Sequence, residues 1–267
     1  MQAHFVDVFT LTPGQGNPAA VVMNAGDLTH AQMASIAAEL GLETTFVDGT
    51  TLRYYQPSGT AMTLCGHGTL AALAALGIQG EFKVSTPAGD LDVVVDPYLF
   101  GLAMPPVTLG DMLDPAVATK ALGIRPEDID GPVQVGTAGR PKLIVPVRSL
   151  EALDALRPDP AAVDRACATL GATGIYVFTA EARILGTMAE ARHFCTGAGI
   201  YEDPVTGMAA VVLAWYLWHH GVAPGCCRIK IGQGHAMGRP GLIMVRQQDG
   251  DHLWIHGQAV IGGTREL

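Results

Sequence analysis

Two segments of the chain are helical by propensity and yet carry almost no polar side chain. The first covers residues 69–76 and reads Thr-Leu-Ala-Ala-Leu-Ala-Ala-Leu, and the second covers residues 206–218. An ordinary surface helix has an apolar stripe and a polar face, whereas a helix that is apolar all round is buried on every side. We therefore expect each segment to be the buried centre of its own group of elements.

Segments with the pattern of β-strands precede and follow both apolar helices. The entries of the two helices also match, because residues 65–69 can be laid on residues 204–208 with Gly68 over Gly207. The chain has 33 Gly and 17 Pro in 267 residues, which predicts the tight turns of a strand-rich protein. The sequence thus predicts two similar halves, each a set of strands wrapped around one central apolar helix.

A boundary between the halves is expected at the pair Pro105 and Pro106. The N-terminal half then covers residues 1–106 and the C-terminal half residues 107–255. Early in the second half, residues 111–123 suggest a short helical piece.

Composition excludes several classes of protein. With 49% hydrophobic and 15% charged residues, the chain is not a disordered one. Its 16 Lys and Arg residues against 25 Asp and Glu give a net charge of −9, and the chain has no basic run to neutralise phosphates, so nucleic acid is not an expected partner. No apolar stretch reaches the roughly 20 residues that a membrane-spanning helix needs, so a membrane is not expected either.

Cysteine usage bears on the compartment. The five cysteines are an odd number without a C-x-x-C pair, which favours free thiols over a disulfide framework. The first residues also lack the basic and apolar regions of a secretion signal. We expect a cytoplasmic protein.

The N-termini of the two apolar helices suit a negatively charged ligand. A helix N-terminus has unpaired N–H groups and a partial positive charge, and both favour a carboxylate. Two such helices, one per half, could aim their N-termini at a common cleft that holds a small acidic substrate. The alternative is that the glycines at these entries only permit tight turns between strand and helix.

Five motifs then carry a resemblance to a known family. They are residues 16–22 (Gly-Asn-Pro-Ala-Ala-Val-Val), 42–47 (Leu-Glu-Thr-Thr-Phe-Val), 64–70 (Leu-Cys-Gly-His-Gly-Thr-Leu), 202–207 (Glu-Asp-Pro-Val-Thr-Gly) and 232–241 (Gly-Gln-Gly-His-Ala-Met-Gly-Arg-Pro-Gly). In this order they resemble the PhzF-like family, named for the phenazine-biosynthesis isomerase, over essentially the whole chain. The resemblance implies the diaminopimelate-epimerase-like α+β fold, with two pseudo-symmetric domains that each roll a β-sheet around a central helix.

The resemblance has further structural implications. It places the active site between the two domains and returns the final strand, within residues 256–267, to the N-terminal half. It also implies a homodimer, which could cover apolar surface that includes Trp215 and Trp218.

The resemblance implies three catalytic residues. Glu43 takes a proton from one substrate carbon and returns it to another, a task that suits a desolvated carboxyl group. His67 assists proton transfer or holds the substrate carboxylate, and Asp203 lies in the same pocket. The alternatives are a solvated surface position for Glu43, a helix-capping or core-bonded role for His67 and a helix N-cap for Asp203.

Substrate-binding residues follow from the same resemblance. They are Asn17, Gly66, Gly68, Thr206, Gly207 and Met208. An Asx turn explains Asn17 nearly as well as substrate binding does.

Two departures set this chain apart from the family pattern: Met208 stands where the phenazine isomerase has a serine, and residues 58–63 lack the acidic residue that the family commonly has there. A thioether cannot donate a hydroxyl hydrogen bond, so we expect a different substrate.

Related enzymes use two thiols that face each other as base and acid. Cys65 falls on the first of these positions, but Pro204 occupies the second, so the two-thiol mechanism is excluded. Cys65 is then expected to be a small buried packing residue.

No cofactor or metal is expected. The chain has no H-E-x-x-H motif, its adjacent Cys226 and Cys227 lack zinc spacing, and its Gly-x-Gly pairs lack the nucleotide-binding fingerprint.

The sequence therefore predicts a cofactor-independent isomerase or epimerase that moves a proton on a small carboxylate-bearing metabolite. A metabolite-binding or regulatory protein that has lost the chemistry is one alternative, motivated by Met208. A racemase or lyase that acts on an amino or hydroxy acid is the other.

Overall fold

The computed structural model describes residues 1–195, 201–248 and 252–267. The strands are β1 (Gln2–Val8), β2 (Asn17–Met23), β3 (Thr44–Asp48), β4 (Thr51–Tyr55), β5 (Ala61–Met62), β6 (Gly80–Thr86), β7 (Gly89–Asp96), β8 (Leu99–Ala103), β9 (Thr108–Leu113), β10 (Val133–Thr137), β11 (Pro141–Pro146), β12 (Gly174–Thr179), β13 (Ala189–Cys195), β14 (Glu202–Asp203), β15 (Arg228–Gln233), β16 (Gly241–Gln248), β17 (His252–Gly257) and β18 (Ala259–Glu266). The helices are α1 (His30–Leu40), α2 (Gly66–Leu76), α3 (Ala116–Leu122), α4 (Leu150–Asp154), α5 (Pro160–Leu170) and α6 (Gly207–His219).

The chain forms two compact units. The first is Met1–Ala103 together with His256–Leu267, and the second is Met104–Ile255. Within the described residues, no helix combines the length and the hydropathy that crossing a membrane requires.

Strands of the first unit form one continuous set of ladders. Strand β1 pairs antiparallel with β2 on one side and with β18 on the other. Strand β2 runs parallel to β3, and β3 pairs antiparallel with β4. Strand β4 is antiparallel to β5 and parallel to β6, from which β7 and β8 continue as an antiparallel meander. The last described strand is thus an integral part of the first unit's sheet.

The second unit repeats this pattern of pairing strand by strand. Strand β10 is antiparallel to β11 and β9, as β1 is to β2 and β18. Strand β11 is parallel to β12, β12 is antiparallel to β13, and β13 is antiparallel to β14 and parallel to β15. Strands β15 and β16 pair antiparallel, as β6 and β7 do in the first unit. The prediction of an α+β fold built from two similar halves is confirmed.

Each unit has one of the apolar helices at its centre. Helix α2 contacts β1, β2, β3, β4, β8 and β18 of the first unit. Its Leu70 and Leu73 have no exposed surface, and neither do Val211 and Leu213 of α6. Because each helix is enclosed by sheet, it needs no polar face, which explains the sequence pattern.

The start of the first apolar helix differs from the one predicted, because α2 begins at Gly66 instead of residue 69. The second, α6, begins at Gly207 with Thr206 as its N-cap, close to the predicted start. The first turn of α2 contains two glycines, which helix propensity alone disfavours. At Gly68 the reason is packing, because a Cβ there would lie 2.6 Å from Thr45 Oγ1 of strand β3.

The expected helical piece over residues 111–123 is only partly correct. Residues up to Leu113 belong to β9, and the helix α3 starts at Ala116. The pairing of β9 with β10 determines the conformation of this segment. That partner is some 20 residues away in sequence, which a local pattern cannot register.

Candidate active site

Glu43 lies in the short connection between α1 and β3. Gly41 ends α1 in a left-handed conformation (φ 67°), with its N–H donating to Ala37 O. The carbonyl of Glu43 then accepts the N–H of Ala20 on β2 at 3.0 Å. The backbone of Glu43 is thereby fixed on both sides, and its side chain is 20% exposed. The alternative of a freely solvated glutamate does not fit this position.

Glu43 meets His67 and Cys65 at the N-terminus of α2. Its Oε2 lies 3.2 Å from His67 Nε2, and it accepts the Cys65 thiol at 3.5 Å. The Cys65 sulfur is also 3.5 Å from His67 Nδ1. A carboxylate, an imidazole and a thiol therefore converge on one spot of the first unit.

His67 does not have the capping role considered for it, although its Nδ1 contacts the sulfur of the buried Cys65. The N-cap of α2 is Cys65, and no side chain caps the helix. His67 Nε2 is buried and makes no hydrogen bond within the described part of the chain, so its contact with Glu43 is an electrostatic one. An unbonded ring nitrogen beside a carboxylate is suited to act on a ligand, because a buried polar atom gains stability from any partner that it can bond.

The first turn of α2 adds donors to this cluster. Gly66 and Gly68 flank His67 there, and both are buried. The N–H groups of a first helical turn lack intrahelical partners. Asn17, at the start of β2, is 4% exposed and pairs in register with Val8.

A second cluster lies at the N-terminus of α6 in the second unit. The Thr206 hydroxyl donates to Asp203 Oδ2 at 2.5 Å and is 2.9 Å from His193 Nδ1. Because the hydroxyl proton goes to Asp203, the Nδ1–H of His193 donates to Thr206. The sulfur of Cys195 is 3.2 Å from the same Nδ1.

Gln233 of β15 completes this network. Its Nε2 donates to the carbonyl of Asp203 at 2.8 Å and to Thr206 Oγ1 at 3.2 Å. Its Oε1 accepts the N–H of Thr206 and the hydroxyl of Tyr176, both at 3.0 Å. The hydrogen-bonding capacity of this buried amide is therefore fully used, and three of its four bonds fix Asp203 and Thr206.

Asp203 is not the N-cap that was considered as its alternative. The N-cap residue of α6 is Thr206, whose side chain makes no capping bond because it is engaged with Asp203. Gly207 and Met208 are the first two helical residues, and a Cβ on Gly139 would lie 3.5 Å from Met208 Cε.

Burial controls the charge of the second cluster. Burial and the nearby Lys142 ammonium lower the pKa of His193 to about 4, so the imidazole is neutral near pH 7. Burial likewise lowers the pKa of Lys142 to about 8. The sequence did not single out His193, Cys195 or Gln233. Strand β13 reads Ala-Glu-Ala-Arg-His-Phe-Cys, so a polar residue in it is not unusual and gave no signal.

Solved structures define the class of protein. The chain superimposes on a probable proline racemase from Agrobacterium radiobacter with a TM-score of 0.64 at 13% identity, covering 100% of this chain and 92% of that one, which shows a shared fold. A PhzF-family phenazine biosynthesis protein from Bacillus anthracis matches with a TM-score of 0.89 at 25% identity, covering 100% of this chain and 98% of that one. The diaminopimelate-epimerase-like fold is confirmed.

Sequence comparisons identify the family. The phenazine biosynthesis-like (PhzC-PhzF) family profile matches residues 6–264. An uncharacterized isomerase, YfhB of Bacillus subtilis, is 33% identical over 98% of this chain and 96% of that protein. A trans-2,3-dihydro-3-hydroxyanthranilate isomerase of Pseudomonas chlororaphis is 31% identical over 91% of this chain and 89% of that protein. The chain belongs to the PhzF family, and the prediction of an isomerase is confirmed.

Proposed function

We propose that the protein is a cofactor-independent isomerase or epimerase in which Glu43 moves a proton on a small carboxylate-bearing metabolite. The observation that carries this proposal is the contact between the Glu43 carboxylate and the imidazole of His67 at the N-terminus of a buried helix. Both side chains are positioned by the backbone and partly shielded from water.

Glu43 acts first as base and then as acid. Its carboxylate takes a proton from a C–H bond of the substrate, and the electron pair of that bond shifts into the adjacent unsaturated system. The Glu43 carboxyl group then returns the proton to a second carbon on the same side of the substrate. No electron is gained or lost overall, so the reaction needs no redox partner.

His67 and the first turn of α2 hold the substrate. The unbonded Nε2 of His67 forms a hydrogen bond with the substrate beside the reacting carbon. The N–H groups around Gly66 and Gly68 bind its carboxylate, which the positive end of the helix also favours. The family resemblance assigns Asp203, Thr206 and Gly207 to the same substrate and adds Asn17 to the pocket.

Met208 bears on substrate identity. The Pseudomonas relative is named for trans-2,3-dihydro-3-hydroxyanthranilate. In this chain a half-buried thioether stands where the phenazine isomerase has a hydroxyl group. We propose a carboxylate substrate that presents an apolar group to Met208 instead of a hydrogen-bond acceptor.

The test is exchange of substrate hydrogen with solvent deuterium, followed by NMR over a panel of small unsaturated and α-substituted carboxylates that includes the dihydro-hydroxyanthranilate. We expect exchange in at least one compound, and a loss of about 10²–10⁴-fold in Glu43→Gln. The control is Glu39→Gln, since Glu39 lies on the exposed face of α1 and pairs with Arg265. Equal exchange in the wild type and Glu43→Gln would overturn the assignment of the base.

The same experiment separates the alternatives. Binding of a carboxylate without any exchange would indicate a metabolite-binding protein. Exchange with inversion at one carbon would indicate a racemase, and loss of a leaving group would indicate a lyase.

A further inference from the structure

The antiparallel strands β13 and β14 place three metal-binding residue types side by side. His193 and Cys195 are two residues apart on β13, so their side chains point to the same face of the sheet. Asp203 of β14 stands directly opposite His193 in the antiparallel register. Directly opposed residues have Cβ atoms about 4.5–5.5 Å apart, which brings their side chains into contact.

The donor atoms have the spacing of a tetrahedral site. The Cys195 sulfur is 3.2 Å and the nearer Asp203 oxygen 3.8 Å from His193 Nδ1, and all three donor atoms lie within 4.8 Å of one another. Zn²⁺ binds sulfur at about 2.3 Å and nitrogen or oxygen at about 2.0–2.2 Å, so tetrahedral ligand atoms stand about 3.3–3.6 Å apart. His193 is buried, and shifts of about an ångström in the partly exposed side chains of Cys195 and Asp203 bring the three donors to these distances.

We propose that His193, Cys195 and Asp203 bind a divalent transition metal of the zinc class. One imidazole nitrogen, one thiolate and one carboxylate make a donor set that suits zinc, and three protein ligands leave a fourth position for water or a ligand oxygen. The site differs from the common zinc motifs because two ligands alternate along one strand and the third comes from the neighbouring strand.

The cluster in the first unit is the natural competitor, and its geometry is less suitable. Glu43, Cys65 and His67 also lie within 4.8 Å of one another. There the imidazole faces the thiol with Nδ1 and the carboxylate with Nε2. In the second unit the same nitrogen, Nδ1 of His193, faces both other donors. A single ion can therefore be reached by all three donors more directly in the second unit.

Metal binding has a consequence for Asp203. Its Oδ2 accepts the Thr206 hydroxyl, and His193 Nδ1 donates to the same hydroxyl. The bond from Nδ1 must break when this nitrogen becomes a metal ligand, whereas the Asp203 carboxylate has further lone pairs for the ion. The ion then holds the Asp203 carboxylate. If Asp203 serves the proposed reaction, zinc is an inhibitor of that reaction; this consequence rests on the proposed function, whereas metal binding itself does not.

Cobalt is the probe, because Co²⁺ replaces Zn²⁺ and its bonds to thiolate give a charge-transfer absorption in the near ultraviolet. Chelator-treated full-length protein is titrated with Co²⁺, and Zn²⁺ is then added to displace it. We expect one equivalent to bind with the thiolate band in the wild type. In Cys195→Ser the band disappears and binding weakens by about an order of magnitude or more.

The matched control is Cys65→Ser, which removes the corresponding thiol of the first unit and is expected to keep the band. Circular dichroism checks that both variants are folded. Asp203→Asn changes a second proposed ligand while it keeps the Cys195 thiol, and it should weaken Co²⁺ binding. A band that survives in Cys195→Ser, or disappears in Cys65→Ser, overturns the site, as does the absence of stoichiometric binding in the wild type.

Inhibition is measured separately by deuterium exchange. We expect Zn²⁺ to suppress exchange in the wild type and much less in Cys195→Ser, with each protein compared with its own rate in the absence of metal. If the protein binds Co²⁺ stoichiometrically but shows no hydrogen–deuterium exchange of any substrate, the proposed function is contradicted and the metal site is still supported.

Discussion

His67 Nε2 lies 3.2 Å from Glu43 Oε2 without a hydrogen bond between them. The two residues are 24 positions apart, and they meet because Glu43 precedes β3 while His67 is in the first turn of α2, which packs on β3. The close approach of helix and strand at Gly68 makes this contact possible.

His67→Gln should reduce deuterium exchange by about 10–100-fold, because a hydrogen bond to a charged substrate contributes about 1.5–3 kcal/mol. Stability should change little, because the His67 ring nitrogen that faces Glu43 makes no hydrogen bond that the variant would lose. Exchange rates and urea denaturation measure the two effects. If His67→Gln lowers the stability of the protein but leaves the exchange rate per folded molecule unchanged, His67 has no role in the reaction.

Gly68→Ala should destabilise the protein by about 1–3 kcal/mol, as overpacking of a filled site does. The new Cβ would lie 2.6 Å from Thr45 Oγ1 and 3.0 Å from Cys65 Sγ. Gly263→Ala is the control, since a Cβ there meets nothing within 4 Å. Urea denaturation of both variants and of the Thr45→Ala/Gly68→Ala pair gives the test, and the pair should recover part of the loss. No recovery would mean that the Thr45 contact is not the cause.

The central helices were predictable because a helix that is buried on all sides has no polar face, and the absence of polar residues is visible in the sequence. No partner needs to be known to recognise such a helix. Its exact start was not predictable at Gly66, where propensity favours a later start and only the approach of Thr45 explains the glycines. Segment 108–113 was missed for a related reason, since its strand conformation depends on pairing with β10.

The candidate site divides in the same way. Glu43, His67 and Asp203 stand in motifs with recognisable neighbours. His193 and Cys195 do not, because their relation to Asp203 depends on the register between β13 and β14. Register is a property of paired strands, and ten residues of separation between His193 and Asp203 do not reveal it.

Leu70→Ala should cost about 2–5 kcal/mol of unfolding free energy, the range for truncating a fully buried leucine. Leu70 is 0% exposed at the centre of the first unit, whereas Leu185 is fully exposed. Leu185→Ala is thus the matched control and should change stability by less than about 0.5 kcal/mol. Urea denaturation of both variants checks the prediction. Similar small losses in the two would mean that α2 is not at the centre of a packed core.

Lys142→Met should stabilise the protein at pH 7. Lys142 is 4% exposed, and burial lowers the pKa of its ammonium from 10.5 to about 8. The folded state therefore carries a penalty for the charged lysine that is fully present below pH 8, decreases between pH 8 and 10.5 and vanishes above it. At about 1.4 kcal/mol per pKa unit the penalty is about 3 kcal/mol. The variant also loses the bond from Nζ to Thr173 Oγ1, worth about 0.5–1.5 kcal/mol, although that hydroxyl still donates to Pro141 O.

The net gain for Lys142→Met is therefore about 1–3 kcal/mol at pH 7, and it should shrink as the pH is raised towards 10.5. Urea denaturation of the wild type and the variant at pH 7, 8.5 and 10 measures the difference, in which the titration of other groups cancels. Lys120→Met, at an exposed position of α3, is the control and should show no such pH dependence. A gain for Lys142→Met that stays constant over this range would indicate better packing of the methionine instead of relief from a buried charge.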